Sequence, residues 1–238
     1  MLLLFTLFTV TFARHVDLPS KALQNPNLFQ GDIIGIEDND IRNAVSDPSL
    51  RWKDGIVPYT IGRSLDNIRH LITIAMKHIN KATGGCITFK ERQHEPDYIL
   101  FTKGNGCSSY VGRAEGEQHI NLGKGCEYVG VILHEILHAL GFYHEHNRPD
   151  RDDHLIIYWD NIDKGYLRDF TLLHPSATTI YNDFDPYSIM IYGNYLGSKD
   201  GKSKTMEAKS GVKLRNPQMK IGLSPSDVYR IKKLYKCE

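Results

Sequence analysis

"VGVILHEILHALGFYHEHNRPD", residues 129–150, sets four histidines and two glutamates among strongly apolar neighbours. Each buried imidazole needs a polar partner, and a metal ion would supply one. On a helix His134 and His138 stand one turn apart, so both rings leave the same face and can hold one ion. Glu135 stands beside that face. Gly141 can take the left-handed conformation that ends the helix, letting the chain turn and return His144 as a third nitrogen donor. Three imidazoles leave the fourth position of a tetrahedral zinc open, as in a catalytic rather than a closed structural site. Copper and nickel also accept imidazole, but zinc is the expected occupant of such a set. H-E-x-x-H alone arises by chance in about three in a hundred chains of this length, and Gly141 with His144 lowers that to roughly one in ten thousand.

Upstream of this stretch the pattern is globular. IVPYTI (56–61), CITFKE (86–91), DYILFTK (97–103) and QHINL (118–122) are rich in β-branched and aromatic residues and read as strands. Ser64 is placed to cap a helix whose Leu65, Ile68, Leu71, Ile72, Ala75 and Ile79 share one face, ended by Gly84 and Gly85. A helix between strands implies a mixed sheet packed against it. The histidine helix itself is expected over about residues 127–140. Downstream, 147–220 has little periodicity, after which LSPSD starts a last helix with Ser224 as cap, Pro225 in the first turn and Val228, Ile231 and Leu234 as its buried stripe.

Residues 1–13, MLLLFTLFTVTFA, have the shape of a signal peptide and are too short to span a bilayer. The polar stretch that follows, broken by prolines and Asn/Asp clusters, reads as a pro-segment over 14–42 with a basic cleavage point at Arg42 before Asn43, leaving 43–238 as one catalytic domain. Cys86, Cys107, Cys126 and Cys237 are even in number, lack C-x-x-C spacing, and fit two disulfides in an oxidising compartment with any of three connectivities. A formal net charge of +1 argues against a nucleic-acid partner. No later stretch is apolar enough for a membrane helix, and no N-x-S/T sequon occurs. His15, His70, His78, His94, His119, His154 and His174 have no ligand spacing, and RPDRDD (148–153) reads as local ion pairs.

HEILHALGFYHEHNRPDRD resembles the zinc signature of the astacin family of metzincin metalloproteases, and PYSIMIYG (186–193) is similar to that family's Met-turn. The resemblance runs from about residue 43 to 237 and includes WKDGIVPYTI, CSSYVG, INLGKGC and LYKC; Ile191 departs from the family's usual histidine at a position that is not a ligand. It implies an α+β, two-lobed metzincin-type domain: a mixed, mostly parallel sheet with two long helices in the N-terminal lobe, and a largely irregular C-terminal lobe with a final helix. It further implies one Zn2+ held by His134, His138 and His144, with Glu135 as general base. Tyr192 would be a displaceable further ligand that steadies the oxyanion, with Met190 as an apolar floor. Glu145, otherwise a solvated charge, would pair through water with the amino group of Asn43 once Arg42 is cut. His146 is not a family ligand and is expected to be structural or exposed. Phe29, Gly31 and Asp32 match a propeptide motif whose aspartate blocks the zinc, and the family pairing joins Cys86 to Cys237 and Cys107 to Cys126.

The expectation is therefore a secreted, extracellular, monomeric zinc endopeptidase acting on protein or peptide substrates, made as a zymogen and activated by a trypsin-like protease. A catalytically inactive secreted binding protein or venom component that keeps the fold is the alternative, followed by a zinc hydrolase for non-peptide substrates. Lys209, Lys213 and Arg215 are expected near the primed side of the cleft.

Overall fold

The structure is a computed structural model that describes residues 21–35 and 48–237. The expected signal peptide, the Arg42–Asn43 cleavage point and therefore the domain boundary lie outside the described residues. In the N-terminal lobe, β1 (Ile56–Ile61) is followed by α1 (Arg69–Ala82), β2 (Thr88–Glu91), β3 (Tyr98–Thr102), β4 (Cys107–Ser109), β5 (Glu117–Leu122) and α2 (Val129–Ala139). The sheet order is β2-β1-β3-β5-β4, parallel throughout except that β4 runs antiparallel to β5. Alternation does the positioning: Ile99 and Phe101 of β3 and Ile120 and Leu122 of β5 turn inward. They meet Ile72, Ala75, Met76 and Ile79 of α1, which recur at helical spacing.

The four expected strands are present. One helix start differs from expectation. Ser64 does not cap α1: the chain first makes a 3₁₀ turn over Arg63–Leu65, and α1 begins at Arg69 without a side-chain cap. Leu65 and Ile68 are still buried, so the apolar stripe is continuous although the backbone is not. Ser64 Oγ accepts instead from Lys103 N at 3.4 Å. β4 is only three residues long and carries no strand pattern of its own; pairing with β5 creates it.

α2 is apolar on all sides and buried from Gly130 to Ala139, which makes it the central helix of the molecule. Beyond it the C-terminal lobe is built mostly of 3₁₀ turns and irregular chain, with a single-turn α3 (Arg151–His154), the antiparallel pair β6 (Leu155–Ile157) and β7 (Met206–Ala208), and α4 (Pro225–Tyr235). The start of α4 follows expectation, with a capping box in which Ser224 Oγ accepts from Asp227 N at 3.0 Å and Asp227 Oδ2 accepts from Ser224 N at 2.9 Å. That aspartate reaches further. It also accepts from Ser188 Oγ at 2.6 Å and Ile189 N at 2.8 Å, so the first turn of α4 fixes the turn that carries Met190 and Tyr192.

Disulfides join Cys86 to Cys237 and Cys107 to Cys126, each with Cα atoms 5.8 Å apart. The second ties β4 to the entry of α2, and the first ties the end of α4 to the N-terminal lobe. Restricting a loop of 151 residues in the unfolded chain is worth up to about 5 kcal/mol. A Cys86→Ser, Cys237→Ser double variant is accordingly expected to unfold at a clearly lower urea midpoint. An unchanged midpoint would refute the stabilising role.

Candidate metal centre and active site

Helix α2 delivers His134 and His138 to one point, with Nε2 atoms 3.2 Å apart. The helix stops at Ala139, Gly141 takes φ 109°, and the returning chain sets His144 Nε2 at 3.1 Å from His134 and 3.2 Å from His138. All three rings are buried. Their outer nitrogens identify the tautomer: His134 Nδ1 faces Ile189 O at 2.9 Å, His138 Nδ1 faces Phe142 O at 2.7 Å, and His144 Nδ1 faces Gln30 Oε1 at 3.0 Å. Carbonyl oxygens only accept, so the proton of each neutral ring sits on Nδ1 and the Nε2 lone pairs point at one another. Burial keeps His134 below its ordinary value and His144 down at about 4, so neither ring carries a second proton at neutral pH.

Asp32 enters the same space. Its Oδ2 lies 3.1 Å from His134 Nε2 and 3.3 Å from His144 Nε2, and Oδ1 lies 3.5 Å from His138 Nε2. Three lone pairs converging on a carboxylate repel unless a cation sits among them. Asp32, His134, His138 and His144 each offer one donor atom, all within 4.8 Å of one another. Nitrogen and oxygen donors in fours suit zinc. Tyr192 OH donates to Asp32 Oδ2 and lies 3.3 Å from Leu23 O, with its ring 5.0 Å from that of His144. Burial and the Asp32 charge push the phenol well above its normal value, so it keeps its proton.

Glu135 is fully buried, and neither carboxylate oxygen has a hydrogen-bond partner among the described residues. Burial and the Asp32 charge raise it well above the carboxylate range. Met190 packs against this core at 2% exposure, and its carbonyl accepts from Glu145 N at 2.9 Å.

Burial decides between the readings left open for Glu145 and His146. Glu145 is not solvated: it is 4% exposed and accepts from Arg148 Nη1 at 3.0 Å, Arg230 Nη1 and Nη2 at 2.5 and 2.8 Å, and Asp185 N at 2.8 Å. The sequence reading missed Arg230. Its signal was present, because residues 227, 230, 231 and 234 share one helix face and all are buried. His146 is structural rather than exposed; its ring stacks 5.1 Å from that of His144, and burial holds it well below its ordinary value. RPDRDD forms local pairs as expected, Arg148 with Asp150 at 2.8 Å and Arg151 with Asp152 at 2.5 Å. Lys213 and Arg215 border a groove with Tyr187 and Ile221 that contains none of the clustered histidines, and Lys209 Nζ donates to Asp152 O at 2.6 Å.

Residues 21–35 run through the cleft. Ser109 N donates to Asp32 O at 3.0 Å and Ile34 N to Ser109 O at 2.8 Å, adding the segment parallel to edge strand β4. Phe29 and Ile33 form a small apolar cluster with Tyr143, Leu173 and Val111. Gly197 N donates to Gln24 Oε1 at 3.1 Å.

The peptidase family described as Astacin matches residues 44–236. The chain is 36% identical to "Zinc metalloproteinase nas-6" of Caenorhabditis elegans, over 90% of this chain and 64% of that protein. It is 39% identical to "Astacin-like metalloprotease toxin 1" of Loxosceles intermedia, over 88% of this chain and 81% of the other. Among solved structures it is similar to high choriolytic enzyme 1, a hatching enzyme zinc-protease from Oryzias latipes, with a TM-score of 0.71 and 30% identity over 87% of this chain and all of that one. Donor set, fold and family match agree: the chain belongs to the astacin family of zinc metalloproteases.

Proposed function

We propose that the chain is a secreted zinc endopeptidase made as a zymogen, latent while residues 21–35 fill its cleft and activated by cleavage after Arg42. One observation carries this reading: the Asp32 carboxylate stands among the three imidazoles, where a substrate carbonyl and a water molecule have to be. His134, His138 and His144 hold the metal. When bound, zinc supplies a Lewis acid that polarises the scissile carbonyl and makes water a better nucleophile near neutral pH. Glu135, without partners among the described residues and close to the cluster, takes the proton of the attacking water and hands it to the leaving amine. Tyr192 then donates to the developing oxyanion the hydrogen bond that it gives Asp32 in the latent form. Edge strand β4 is left with free backbone groups to pair with an extended substrate.

A cavity of about 50 Å³ lined by Tyr143, Glu145, Arg148, Met190 and Arg230 supports the reading that a freed Asn43 amino group docks beside Glu145. Secretion is supported by the two disulfides and the apolar leader. Treatment of the purified chain with trypsin, followed by trypsin inhibition, is expected to release casein-hydrolysing activity that 1,10-phenanthroline removes. Zinc-loaded, correctly cut protein that leaves casein and mixed peptides intact would favour the inactive binding protein instead.

A further inference from the structure

Residues 21–35 also cover a carboxylate for which hydrolysis has no use. Asp169, near the end of the 3₁₀ turn Lys164–Phe170, is 2% exposed. Its Oδ2 has no hydrogen-bond partner among the described residues, although its main-chain carbonyl accepts from Asn147 Nδ2 at 2.8 Å. Gly31 faces it. A Cβ on Gly31 would lie 3.3 Å from Asp169 Oδ2 and 3.0 Å from Leu23 O, on a backbone already at φ +90°. Gly31 immediately precedes Asp32, so Asp169 stands opposite the residue next to the one seated on the histidines. Burial, reinforced by the Asp32 charge and opposed more weakly by Arg168, pushes Asp169 up to about 8.

A buried carboxyl oxygen without a donor destabilises the form that contains it. Here the covering group is the smallest residue available, and it comes from the segment that activation removes. Its departure admits solvent and takes away the like charge of Asp32, and both changes favour the ionised form. The cleft then presents a fixed negative charge opposite the place that Gly31 occupies. Phe29 and Ile33 of the same segment sit in an apolar cluster with Tyr143, Leu173 and Val111. A cationic side chain reaching Asp169 would therefore find one partly desolvated anion, a setting in which a charge-assisted hydrogen bond discriminates well.

We propose that Asp169 is a specificity-determining residue of the activated enzyme, selecting substrates with a lysine or arginine side chain immediately beside the scissile bond. This rests on the peptidase reading above. Gly31 fits the same logic, since a segment that blocks the cleft without offering a cation leaves the selecting group unsatisfied and the complex easier to release.

The test uses full-length chain activated by immobilised trypsin, which is then removed and its residue inhibited, counting only cleavage that a zinc chelator abolishes. Paired peptides differ at a single position flanking the scissile bond, lysine against norleucine. Wild type is expected to favour lysine at one flanking position by about 10- to 100-fold in kcat/KM, the range for a hydrogen bond to a charged group. Asp169→Asn is expected to bring that ratio close to one, and Asp169→Glu to keep a preference for lysine. Asp169→Lys should turn preference toward glutamate. A wild-type ratio near one, or a lysine preference that survives in Asp169→Asn, overturns the proposal while leaving the peptidase reading standing. No chelator-sensitive cleavage of any peptide would overturn both.

Discussion

An Asp32→Ala chain is expected to cut peptides while still intact. The clean form of the experiment carries Arg42→Ala as well, so that neither trypsin nor the enzyme itself removes residues 21–35 by the proposed route. In the parent, the Asp32 carboxylate meets His134, His138 and His144 and takes the Tyr192 hydroxyl, filling the place a substrate needs. Tethering supplies the carboxylate at a high effective concentration, so loss of this one group matters more than an equal loss from a free inhibitor. Losing charge-assisted contacts of this kind weakens the segment's hold by roughly 10- to 100-fold. Release is not complete. Phe29 and Ile33 remain in their apolar cluster, and the pairing of residues 32–34 with β4 is main-chain and survives the substitution. Hydrolysis of a fluorogenic peptide should therefore rise from background to a measurable fraction of the trypsin-activated parent. A double variant as silent as Arg42→Ala alone would show that the segment blocks the cleft by bulk and that the aspartate is incidental.

The parts legible in the sequence are those whose cause is local. His134 and His138 meet because four residues make one helical turn, and Gly141 turns the chain for His144 at a φ that glycine tolerates. Ser224 and Asp227 close a capping box over three residues. The parts that were not legible depend on partners far along the chain. β4 exists through β5, and the β6–β7 pair joins residues about fifty positions apart with no hairpin signal between them. Glu145 reads as a surface charge until Arg230, 85 residues on, lies against it. Asp169 is hardest of all, because what faces its carboxyl oxygen is Gly31, in a segment that the proposed activation removes. Ser64 misleads differently: the apolar spacing is right, but a 3₁₀ turn buries Leu65 as well as α-helix would.

Replacing Glu135 with glutamine separates the chemistry from the fold. The substitution keeps the shape of a fully buried side chain on α2 and removes only its ability to exchange a proton. General acid–base steps contribute on the order of 10²- to 10⁴-fold, and this residue serves in both directions of proton transfer, so kcat is expected to fall by about 10³-fold or more with little change in KM. Zinc content should stay at one per chain, because the outer nitrogens of the three histidines bond to Ile189 O, Phe142 O and Gln30 Oε1 and none of them to Glu135. Stability is the sharper readout. In the latent form both Glu135 oxygens lack partners among the described residues, so the amide enters a site that already lacks hydrogen bonds and breaks none. The proform of Glu135→Gln should melt within a few degrees of the parent, whereas losing a buried, satisfied network residue typically costs several kcal/mol. Measured kcat, zinc per chain and melting temperature together decide the matter. An active Glu135→Gln enzyme would remove the proton-transfer role, and a variant that loses zinc or melts far below the parent would make Glu135 a structural residue whose catalytic effect is indirect.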